Sequence, residues 1–214
     1  MQRPAEPSQT ERGAWETIPD PQTVERTAEA LRANGFKVHV VPSRKAAMEQ
    51  IGSLIPDGAE VMTGSSATLD AIGLTKMLSE ENHPWVNLKG QIVAEHDPKK
   101  KTELRRQATY ADYFIGSVHA VTETGHLVAG SASGSQLAAY AYGGDNLILA
   151  VGAQKITANL DEALRRLREH SVPLEDARMK GLGMRGTVLS KILIYEREPW
   201  RNVQVILINE KLGF

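Results

Sequence analysis

Strand-like apolar runs alternate with helix-period segments along most of this chain, and that alternation restricts the architectures open to it. Asp20 followed by Pro21 reads as an N-cap and first helical position. Val24, Ala28 and Leu31 then recur at helical spacing until Gly35 ends the segment. "FKVHVV" (36–41) reads as a strand, Ser43 caps a helix carrying Ala47, Ile51 and Leu54 on one face, and "PDG" (56–58) turns into strand "AEVMTG" (59–64).

The pattern continues with a short helix from about Thr68, a charged helix near 98–110, and strands at 113–118 and 126–130. A helix at 135–142, a strand at 146–153, a helix at 159–170 and two closing strands, 187–196 and 203–209, complete it. Strands that alternate with helices predict a mostly parallel sheet covered on both faces, and adjacent closing strands predict an antiparallel C-terminal edge. The expected fold class is a three-layer α/β/α domain over 14–214. It is preceded by a polar, proline-containing flexible tail over 1–13. The stretch "RMKGLGMRG" (178–186) lacks periodicity and reads as a loop.

With 214 residues, 41% of them hydrophobic, the chain has matter for one compact core. A formal charge of -1 offers no global attraction to nucleic acid. No cysteine is present, so the chain supplies no thiol nucleophile, disulfide or cysteine-ligated metal. His39, His83, His96 and His170 are scattered without metal-ligand spacing, so neither a metal nor a cofactor is expected. No apolar run reaches the length of a membrane span, and the N-terminus lacks an apolar signal core; a cytoplasmic location is the expectation. An edge formed by the closing strands could serve a homo-oligomer.

In open α/β sheets ligands bind just past the carboxyl ends of strands, which directs attention to four segments. "TGSSATLD" (63–70) is small and hydroxyl-rich: Thr63, Ser65, Ser66 and Thr68 supply donors, and Gly64 permits close approach. Plain helix capping explains the same residues. His119, Thr122, Glu123, Thr124, Gly125 and His126 form the densest set of reactive groups, with Glu123 a candidate base or nucleophile; a turn carboxylate is the alternative. Gly130, Ser131, Ser133, Gly134 and Ser135 could cradle an anion or simply link strand to helix. Lys155 could meet a substrate carboxylate or carbonyl oxygen, or stand exposed before a helix.

"TGSSATLDAIGL" (63–74), "ADYFIGSVHAVTETGHLV" (111–128), "LILAVGAQKITANLDEALRRL" (147–167) and "VQVILINEKLGF" (203–214), in this order, resemble the LUD family of lactate utilisation proteins. The resemblance implies the fold shared by glucosamine-phosphate deaminases, ribose-phosphate isomerases and CoA transferases. It also implies a role in oxidising lactate or a related small hydroxy acid beside iron–sulfur and flavin protein partners; a sugar acid or phosphorylated acid is the further ligand class expected of such a site. Relatives often carry a cysteine-rich stretch before the penultimate strand; residues 178–199 here have none. "TETG" is also similar to the turn that bears the nucleophilic glutamate of CoA transferases, which places Glu123 in that role. The resulting expectations are acyl or CoA transfer, isomerase-like proton transfer on a small carboxylate, or a non-catalytic assembly subunit.

Overall fold

A computed structural model describes residues 13, 15–80 and 83–214. The tail expected over 1–13 therefore lies, apart from Gly13, outside the described residues. Helix α1 (Pro21–Ala33) begins as its sequence demands: the Asp20 carboxylate accepts from the N–H groups of Gln22 at 2.9 Å and Thr23 at 3.0 Å. The chain leaves it through Gly35, whose φ of 95° and position against the Glu198 carbonyl exclude a side chain. Strand β1 (Lys37–Val41), α2 (Arg44–Leu54, capped by Ser43) and β2 (Glu60–Thr63) follow.

Next come α3 (Ala67–Ile72), α4 (Leu74–Ser79), β3 (Val86–Asn87), α5 (Leu88–Ala94), α6 (Pro98–Gln107) and β4 (Tyr113–Gly116). A hairpin of β5 (Ala120–Thr122) and β6 (Leu127–Ser131) leads to α7 (Ser135–Ala141) and β7 (Asn146–Gly152). The chain closes with β8 (Ile156–Thr157), α8 (Leu160–Arg166), α9 (Val172–Gly181), β9 (Lys191–Tyr195) and β10 (Asn202–Ile208).

Six strands form one parallel sheet in the order β1-β10-β7-β4-β2-β3. Side chains alternate across it, as the two-residue period of a strand requires. Leu147, Leu149, Val151, Val203, Val205 and Leu207 pack with Val24, Ala28 and Leu31 of α1 on one face. Ile148, Ala150, Ile206 and Ile208 pack with Ala47, Ile51, Leu69 and Leu74 of the α2–α4 side on the other. Each of the buried Val, Leu and Ile side chains contributes about 1.5–3 kcal/mol of transfer free energy. The chain thus adopts the expected three-layer α/β/α class, with helices on both faces of a parallel sheet.

The closing strands do not pair with each other. Strand β10, apolar toward both faces, inserts between β1 and β7, where a two-sided strand loses the most water contact. Strand β9 joins β8, β5 and β6 in a second, four-stranded sheet, and the antiparallel pairing is found there. Residues 178–181, expected in a loop, are the last turn of α9. The helix continues from α8 through the wider helical turn Leu167–Ser171, with no capping side chain at Ser171, and is braced by the Glu175–Arg178 ion pair at 2.7 Å. Irregular backbone begins only at Leu182. Among the described residues no helix is long and apolar enough to cross a membrane.

Candidate functional site

Strands β2, β4 and β7 run parallel, so their carboxyl ends open on one crevice. Strand β2 ends on Thr63 and passes to Gly64, Ser65 and Ser66. Strand β4 passes to Ser117, Val118 and His119, and β7 to Lys155. All of these line a cavity of about 620 Å³. The β6–α7 turn adds Gly130, Ser131, Ser133 and Ser135. Gly134 does not line the cavity but holds that turn, with φ of 86° and its N–H donating to Ser131 Oγ at 2.9 Å. A Cβ at Gly64 would lie 2.6 Å from Gln136 Oε1, the movable end of a flexible side chain. Capping and cavity lining coexist in this region, since Ser66 Oγ accepts from Leu69 N–H at 3.4 Å.

Lys155 sits in the tight turn Ala153–Lys155 after β7 and is buried, at 2% exposure. Its Nζ donates to Thr68 Oγ1 at 2.8 Å, Val118 O at 3.0 Å and Ser117 Oγ at 3.2 Å. None of these acceptors carries charge. Burial, reinforced by the nearby Arg166 guanidinium, holds the amine well below the ordinary lysine range. Ser117 is fixed in turn by Tyr140, whose Oη accepts from Ser117 N–H at 2.9 Å and donates to Ser117 O at 2.8 Å.

His119 is half-buried on the cavity wall. Burial, followed by the charges of Lys155 and Arg166, lowers its ring to about 3. Nδ1 accepts from Gly130 N–H at 3.1 Å, so the neutral ring carries its proton on Nε2 and presents a donor rather than a base. Lys89 of α5 donates to Gly64 O at 3.2 Å and, with Arg105 of α6, adds cations to the wall. Glu175 is the one acidic side chain among the described lining residues, and Arg178 engages it. The cavity is therefore an excess-cation site rich in hydroxyl donors, suited to an oxyanion. Among the described residues no three His, Cys, Asp or Glu side chains gather to hold a metal.

The LUD domain family profile matches residues 24–190, which cover every cavity wall except the C-terminal Phe214. This chain belongs to the LUD domain family. A crystal structure of a DUF162 family protein from Deinococcus radiodurans is similar to the LUD chain, with a TM-score of 0.54 at 12% identity. The superposition covers 90% of this chain and 100% of that one, and the likeness is one of fold. No curated protein matches the LUD chain.

The segment "TETG" (122–125), with the candidate Glu123, lies outside the cavity lining. It is the β5–β6 hairpin turn, docked on the end of α1. Asn34 Nδ2 donates to Thr124 O and Gly125 O at 3.0 Å each, and a Cβ on Gly125 would lie 2.6 Å from the Ala30 carbonyl carbon. Thr122 and Thr124 exchange a hydroxyl contact at 2.9 Å, and Thr122 Oγ1 accepts from His126 N–H at 2.9 Å. Glu123 lies 3.6 Å from Arg26 on the surface. The physical reason is the two-residue strand β8, which pairs parallel with β5 and takes the Glu123 N–H at Thr157 O. That pairing carries the hairpin tip toward α1, away from the strand ends that form the crevice.

Several lining residues were not among the sequence candidates. Ser117 stands one position past β4, and the strand-end rule alone would have found it. Lys89, Arg105, Gln136 and Thr187 reach the wall from four separate segments, and nothing local in their sequence marks them.

Proposed function

We propose that the cavity binds a small acid, a hydroxy acid, sugar acid or phosphorylated acid, with Lys155 and His119 addressing its oxygen atoms. The observation that carries this reading is Lys155: a buried amine on a cavity wall, held by neutral oxygens and with no carboxylate partner among the described residues. A buried cation without a counter-ion is costly, and a bound anion relieves the cost. Lys89 and Arg105 attract the same charge at the wall, and the hydroxyls of Ser65, Ser131 and Ser133 offer donors for additional oxygens.

The size of the cavity narrows the choice. Pockets of about 300–1,000 Å³ enclose drug-sized ligands. A volume of about 620 Å³ exceeds what a three-carbon acid fills. A sugar acid or phosphorylated acid, or a small acid together with a second reactant, suits it better. The membership in a lactate-utilisation family agrees with an acid as ligand.

The test is a thermal-shift series with lactate, gluconate, glycerate and phosphoglycerate on the wild type and on Lys155→Met. A stabilised wild type and an unresponsive variant support the reading. Wild-type protein indifferent to every acid would remove it.

A further inference from the structure

Lys155 has an unusual neighbourhood even for a site lysine. Lys76, Lys180 and Lys211 face carboxylates at the surface, as lysines ordinarily do. Lys155 instead shares its surroundings with a second buried cation. Arg166 is fully buried, and it donates to the His119 carbonyl, to Ser171 Oγ at 3.1 Å and to Trp15 O at 3.3 Å. Its Nε has no partner among the described residues. Among the described residues neither cation makes a hydrogen bond to a carboxylate.

The exposed Glu16 carboxylate offsets part of the Arg166 charge, whereas among the described residues no carboxylate hydrogen-bonds to Lys155, so the repulsion is relieved at the lysine. A guanidinium keeps its proton, whereas an ε-amine gives its proton up readily when desolvated. Desolvation beside another cationic group is also the arrangement that turns a lysine into a nucleophile toward carbonyl carbon. The amine here borders the cavity, and its hydrogen-bond partners include two hydroxyls, Thr68 at 2.8 Å and Ser117 at 3.2 Å.

We propose that Lys155 condenses through Nζ with the carbonyl carbon of a 2-oxo acid held in the cavity, forming an imine. The inference rests on the reading of the cavity as an acid site and names the substrate class. The Nζ lone pair forms the C–N bond while the carbonyl π electrons move to oxygen, which takes a proton; nitrogen loses one. Departure of that hydroxyl as water, with a second N–H proton lost, gives the C=N bond. Ketone and amine thus yield imine and water, with no oxidant or reductant consumed. The Thr68 and Ser117 hydroxyls stand where these protons must pass, and the His119 Nε2–H is a donor for the developing oxyanion. Lys89 and Arg105 supply the charge that receives the carboxylate of the oxo acid. Reprotonation of the imine nitrogen gives an iminium, whose charge the bound carboxylate would stabilise.

The experiment treats the full chain with pyruvate and sodium cyanoborohydride near neutral pH, followed by intact mass and peptide mapping. Melting curves with pyruvate and with lactate, which has no carbonyl, run in parallel. The expected result is one reduced pyruvyl adduct on Lys155, formed at least tenfold faster than on any surface lysine and suppressed by excess lactate. Lys155→Arg keeps the charge and should lose the adduct; its melting curve shows that it folds. Ser117→Ala should label at the same residue but more slowly. Adducts spread over surface lysines, equal in wild type and Lys155→Arg, overturn the proposal. Stabilisation by pyruvate and lactate without any adduct overturns the imine and leaves the acid site standing. Neither stabilisation nor an adduct removes both.

Discussion

Lys155 Nζ lies 2.8 Å from Thr68 Oγ1, and this contact ties the end of β7 to the first turn of α3 across the floor of the cavity. Thr68 also donates to Leu212 O at 3.3 Å, so the C-terminal segment is part of the same floor. A buried lysine in such a position is a functional group held at some expense to the fold. Lys155→Met should therefore leave the protein as stable as the wild type or more so at neutral pH, while abolishing the response to acids. Urea melts with and without ligand check both halves. Thr68→Val, which removes an acceptor and leaves the amine buried, should destabilise by about 1–3 kcal/mol.

The pH dependence of stability follows from His119. Its folded-state pKa is lowered to about 3 from 6.5, so the unfolded chain takes up the proton first as the solution is acidified. The associated stability is fully present above pH 6.5 and is lost progressively as pH falls toward 3. His119→Asn, whose side-chain oxygen can still accept from Gly130 N–H, should lose less stability than the wild type between pH 6.5 and about 4. Chemical denaturation across that range reads the difference in slope. Equal slopes would mean that His119 already titrates in the folded protein as it does in the unfolded one.

Tyr140 determines where Ser117 stands. Its hydroxyl closes both backbone groups of Ser117, and Gly116 leaves it room, since a Cβ there would lie 1.9 Å from Oη. Tyr140→Phe strands a buried N–H and a buried C=O, and should cost about 2–4 kcal/mol and weaken acid binding as Ser117 shifts. A full-strength ligand response in the variant would detach Tyr140 from the site.

The hairpin tip separates chemistry from architecture. Glu123 and Arg26 form an exposed pair at 3.6 Å, the kind that contributes less than about 1 kcal/mol. Glu123→Gln should leave both melting temperature and ligand response close to wild type. Gly125→Ala, by contrast, meets a φ of 81° and the α1 backbone, and should destabilise by more than about 2 kcal/mol. Loss of ligand response in a stable Glu123→Gln protein would return the carboxylate to the mechanism.

The sequence by itself carried the information that is local. Asp20-Pro21 starts a helix because a carboxylate and a proline satisfy orphan N–H groups wherever they occur. The period-2 and period-3.6 apolar patterns specify strands and helices, and their alternation specifies the layered class. The strand-end turns at 63–68 and 130–135 are legible because their small, hydroxylated residues follow strands, and His119 because it stands just past the strand at 113–118.

Only the tertiary structure decided the rest, because those properties belong to pairs of segments distant along the chain. Strand β10 takes a central place since both of its faces are apolar and both need cover, whereas adjacency along the chain predicts β9 as its partner. A lysine that reads as exposed becomes buried when β7, α3 and the turn after β4 converge on its Nζ. The densest reactive cluster in the sequence, around Glu123, becomes a docked turn once β8 pairs with β5 and α1 packs on its tip. Local residue types fix what each segment can do; burial and the charges that neighbours bring decide which of them does it.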